Sequence, residues 1–145
     1  MKRTSVRLVL LMALLLGAVA CGGGRPSLAA LAGSERIAAV PNGYQWTSFG
    51  QTDIADPASV PAAGLTPHVV APGSIVLLVF SAPPDSVVMA AWRDGRSVPS
   101  PALAGLTFRV PSARGTYAFQ VHASYGEDYA DFDFALAVRS GTGSP

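Results

Sequence analysis

Beyond residue 24 the chain has no run of ten or more residues whose apolar side chains recur at helical spacing. They alternate, or fill short unbroken runs between Pro and Gly. That pattern confines the fold to β-structure. Ser74 to Ser81 is apolar and β-branched, bounded by Pro72-Gly73 and Pro83-Pro84, and predicts a central core strand. Ser86 to Trp92 predicts the next, closed by Arg93-Asp94-Gly95-Arg96, where Asp94-Gly95 is a turn dipeptide. Leu106 to Val110 and Gly115 to Ala123 follow, and Tyr125 to Asp128 turns the chain. In the last strand Phe132, Phe134, Leu136 and Val138 share one face, and Asp131, Asp133, Ala135 and Ala137 share the other. Upstream, Arg36 to Val40 and Tyr44 to Phe49 predict strands separated by a turn at Pro41-Asn42-Gly43. Gln51 to Thr66 predicts a long polar loop, and a short strand is expected near His68 to Ala71. Seven to eight short strands with frequent turns predict an all-β, antiparallel sandwich.

The first residues follow a different logic. Met1-Lys2-Arg3 and Arg7 precede a 13-residue apolar run, Leu8 to Ala20, which ends at Cys21 and Gly22-Gly23-Gly24. Cationic residues followed by an apolar run too short to span a bilayer comfortably predict a cleaved export signal. Ala18-Val19-Ala20-Cys21 resembles the lipobox of bacterial lipoprotein precursors. The resemblance implies cleavage before Cys21 and a diacylglyceryl group on its sulfur, the only cofactor-like group expected. Cys21 is the single cysteine of 145 residues, so no intramolecular disulfide competes for it. An ordinary secretory signal, leaving a free thiol, is the alternative. The domain reading is signal peptide 1–20, lipidated Cys21 and flexible tether 21–34, β-sandwich 35–139 and disordered tail 140–145.

After residue 20 seven arginines face nine acids, a net charge of −2. The arginines are scattered, which leaves no electrostatic footprint for nucleic acid. Gly115-Thr116-Tyr117-Ala118-Phe119 resembles the start of the penultimate strand in immunoglobulin-like domains. The resemblance implies that Tyr117 ties its hydroxyl to the preceding corner, with Phe119 in the core. Trp92, Phe80, Phe108, Phe132 and Phe134 are likewise assigned to the interior. A jelly roll or small barrel is the alternative architecture.

Chemistry-bearing residues are few. The two histidines, His68 near a strand end and His122 within a strand beside Gln120 and Ser124, are too few for a nucleophile–base–orienter set or for zinc or copper with Met89. Glu127, Asp128, Asp131 and Asp133 are the candidate calcium ligands, against the simpler reading of solvated charges that protect a strand from aggregation. Tyr44 and Trp46 share a strand face and form a ligand or partner platform if exposed, core if buried. These residues lead to a non-enzymatic, lipid-anchored binding or scaffolding module of a bacterial envelope, facing outside the cytoplasm. Its expected contacts are the membrane and an envelope protein. A small-ligand or calcium-binding lipoprotein is the alternative.

Overall fold

Two antiparallel sheets pack face to face in the computed structural model, which describes residues 24–140. The export signal, Cys21 and residues 141–145 of the expected tail lie outside the described residues. In chain order the strands are β1 (Leu28–Ala32), β2 (Glu35–Ala38), β3 (Val40–Ser48), β4 (Gln51–Ala55), β5 (His68–Val70), β6 (Ile75–Phe80), β7 (Ser86–Arg93), β8 (Arg96–Val98), β9 (Leu103–Ala104), β10 (Thr107–Arg109), β11 (Gly115–Tyr125) and β12 (Asp128–Val138). The smaller sheet runs β2-β1-β6-β10-β9. The larger runs β4-β3-β12-β11-β7-β8, and β5 adds a short parallel pairing to the end of β12.

This is the all-β antiparallel sandwich that the alternation predicts, consistent with the immunoglobulin-like resemblance, with twelve strand elements among the described residues in place of seven to eight. Alternation on β11 sends Tyr117, Phe119, Val121 and Ala123 inward, opposite Leu136, Phe134, Phe132 and Ala130 of β12. Phe108 of the small sheet inserts between them, 5.1 Å from the Phe119 ring and 6.4 Å from Phe134. Each such ring adds about 1.5–3 kcal/mol by burial. The Tyr117 hydroxyl donates to the Ala113 carbonyl at 3.0 Å, which is the corner bond the family resemblance implies.

Four local expectations are corrected. The tether assigned to residues 21–34 contains β1, a strand paired on both sides whose Leu28 and Ala30 are core residues. Its small side chains allow two strands to close around it, so composition alone reads it as linker. The Pro41-Asn42-Gly43 turn is instead a bulge inside β3, where the register against β12 shifts between Asp131 and Phe132. The loop expected from Gln51 begins with β4, an exposed edge strand paired to β3. Trp92 points outward, because Met89 and Ala91 take the inward positions of β7. The same alternation leaves Ile75 and Leu77 of β6 exposed while Val76 and Leu78 face the core.

Candidate functional site

Residues 56–67 cross the outer face of the larger sheet as a strap. Gly43 lets it approach, since a Cβ there would stand 2.5 Å from the Pro57 backbone. Three hydrogen bonds tie it down. The Ala58 amide donates to Asn42 Oδ1 (3.1 Å), Gln120 Nε2 donates to the Ala58 carbonyl (2.9 Å), and the Ala62 amide donates to Asp133 Oδ2 (2.6 Å). Each fixes backbone that would otherwise pair only with water. Beside the strap opens a cleft of about 420 Å³ whose walls include Val60, Pro61, Leu65, Trp92, Ala118 and Ala135. Trp92 forms one wall, and the small residues Ala118 and Ala135 leave the floor recessed. Its volume lies within the range of ligand pockets, about 300–1,000 Å³.

Under the strap sits a buried acidic pair. Asp131 is 4% exposed and Asp133 0%, on the outward face of β12 where solvated charges were expected; the strap and the His122 ring replace the solvent. His122 Nδ1 donates to Asp131 Oδ1 at 2.8 Å, and its ring lies 5.1 Å from that of Tyr129. Burial raises the pKa of Asp133, and the nearby Asp131 charge adds to the rise. The Ala62 amide opposes it through its hydrogen bond, and the Asn42 carboxamide opposes it by proximity without closing one. Asp131 Oδ2, Asp133 Oδ1 and Asn42 Nδ2 are buried without hydrogen-bond partners. Unpaired buried polar groups cost stability.

The four proposed calcium ligands do not converge. Asp128 accepts from the Thr47 amide (3.0 Å) and hydroxyl (3.1 Å), and the Glu127 carbonyl accepts from Gln45 Nε2 (2.9 Å) in the β11–β12 hairpin. Asp131 and Asp133 are engaged beneath the strap. No group of three or more His, Cys, Asp or Glu side chains arranged to hold a metal occurs among the described residues. His68 pairs with Glu35 at 3.2 Å, His122 with Asp131, and Met89 is in the core, so the three residues weighed as copper or zinc ligands have separate engagements.

Tyr44 and Trp46 do share a face, the inner one, half-buried at one end of the sandwich. The Arg25 guanidinium lies 3.6 Å above the Tyr44 ring, and Trp46 meets Tyr125 edge-on at 5.4 Å. They are rim residues of the core, neither fully buried nor an open platform. Sequence reasoning missed the Trp92 cleft. Its one local signal is phase: a Trp out of step with the inward Met89 and Ala91, opposite Ala118 on the next strand. The strap that completes the cleft comes from a distant segment and has no local signature. Comparison of the chain with protein-family models, with curated proteins and with solved structures finds no match.

Proposed function

We propose that the chain is a non-enzymatic binding module of a bacterial envelope, held to the outer side of a membrane by lipid on Cys21, which uses the strapped cleft to receive an apolar side chain of an envelope protein. The observation that carries the binding part is the cleft itself: an indole wall, a recessed alanine floor and a Pro-, Ala- and Gly-rich strap whose seat includes unpaired buried polar atoms. Aromatic walls in desolvated pockets dominate interface energetics. The anchoring part rests on the cationic start, apolar run and lone Cys21.

The test is a photoreactive amino acid at Val60, a cleft residue that is 56% exposed, in the full chain in its native envelope. The expected result is one defined protein adduct at Val60, absent from a probe at Ile75, which is 49% exposed on the smaller sheet, and lost on Trp92→Ala while thermal unfolding stays cooperative. No adduct at Val60, or one indifferent to Trp92→Ala, contradicts the reading.

A small apolar ligand is the second reading, favoured by the cleft's volume of about 420 Å³. A ligand at a hundredfold its Kd adds about 2.7 kcal/mol and moves the melting midpoint by several degrees. A flat response across apolar probes excludes it for those probes.

A further inference from the structure

We propose that the tip of the β3–β4 hairpin is a second membrane contact, with Phe49 entering the lipid surface beside the anchor; the inference rests on the lipid-anchored reading of Cys21. Phe49 is 98% exposed and has a φ of 51°, with Gly50 at 75°. Two successive positive φ values form the tight turn of a two-residue hairpin, a site that favours Asn or Asp followed by Gly. A large aromatic ring here is strained, contacts almost nothing in its own chain and forms no part of the core.

Several contacts place the tip at the same end of the sandwich as the first described residues, Gly24 to Ser27. Ser27 and Ser81 exchange hydrogen bonds of 2.8 and 2.9 Å, which fixes the entry to β1 beside the end of β6. Arg25 stacks on Tyr44, Trp46 on Tyr125, and the Tyr125 hydroxyl donates to the Ala82 carbonyl at 2.9 Å. Pairing of β3 with β12 reaches only Gln45 opposite Tyr129, and beyond it Trp46 to Ser48 pair with β4 alone. Thr47 is still held by the Asp128 carboxylate, so the part that projects past the sandwich is the tip Ser48, Phe49, Gly50 and Gln51, which carries no charge.

Geometry and composition then select a lipid surface as the occupant. Gly24 lies three positions after Cys21, a reach of at most about 11 Å, so lipid on Cys21 brings this end of the domain against the bilayer. Phe49 stands five residues beyond Tyr44, roughly 17 Å along the strand. Tyr44, Trp46 and Tyr125 cluster behind it at the level where amphipathic rings favour the headgroup region.

The test labels Phe49→Cys in the full mature chain with an environment-sensitive thiol dye and reconstitutes it in phosphatidylcholine vesicles; Ser97→Cys is the control. Blue-shifted emission that lipid-borne quenchers reduce at position 49, with water-like emission at 97, is the expected result. Water-like emission at both positions overturns the inference. Dye stoichiometry separates the two claims: one dye per chain means that Cys21 is blocked by lipid and the anchoring reading stands, whereas two dyes mean a free Cys21 thiol and overturn both.

Discussion

At the scale of single residues, the consequential groups are those whose surroundings oppose them. Burial makes the folded chain hold the Asp133 proton to higher pH than the unfolded chain does, so this residue's contribution to stability declines as pH climbs from the ordinary carboxylate range through the raised value, and is level above it. Asp133→Asn removes the charge and keeps an acceptor for the Ala62 amide. Denaturant titrations at stepped pH are expected to show the variant more stable than wild type at neutral pH, with the gap closing in acid. A variant less stable at neutral pH contradicts this. Burial also pushes the Tyr125 hydroxyl up to about 12, so Tyr125 favours the folded state fully below pH 10.0 and loses that effect as pH rises toward 12. Tyr125→Phe is expected to flatten this alkaline loss while forfeiting about 1 kcal/mol for the bond to Ala82. Phe49→Asn tolerates the left-handed backbone and is expected to raise stability by about 1 kcal/mol, measured by urea unfolding. A drop would mean that the exposed ring supports the fold.

At the scale of elements, legibility followed how local each cause is. β11 and β12 were readable because their alternation is itself the burial pattern of the inner faces. β1 was not, since Leu-Ala-Ala-Leu-Ala has linker composition and is a strand only because β2 and β6 flank it. β4 was hidden for the opposite reason: an exposed polar edge strand carries no hydrophobic signature. The sequence placed Asp131 and Asp133 on the outward face of β12, but whether that face meets water depends on a strap drawn from residues 56–67. The Trp92 cleft depends on the same strap. A chain that starts at Glu35 lacks β1 and is expected to lose cooperative unfolding, while one that starts at Gly24 keeps it; circular dichroism melts distinguish them. Gly43→Ala sets a Cβ against Pro57, so the strap must lift or the bulge deform, at a cost of about 1–3 kcal/mol. Hydrogen exchange at the Ala62 amide is expected to accelerate in that variant, and unchanged exchange and stability would mean that the close approach does not hold the strap.

At the scale of the whole molecule, the two ends of the sandwich have different surroundings. One gathers the entry to β1, the aromatic rim and the projecting β3–β4 hairpin; the strapped cleft lies on the outer face of the larger sheet, with Asp94 and Gly95 of the opposite end among its lining. An anchor on Cys21 would turn the first end to the membrane and leave the cleft open to a partner. That orientation and the proposed function both depend on the modification of one residue. The most direct measurement is therefore the mass of the N-terminal peptide of the chain purified from its own membranes. A peptide that begins at Cys21 and carries a diacylglyceryl group is the expected result. A peptide that begins elsewhere, or an unmodified Cys21, contradicts the account.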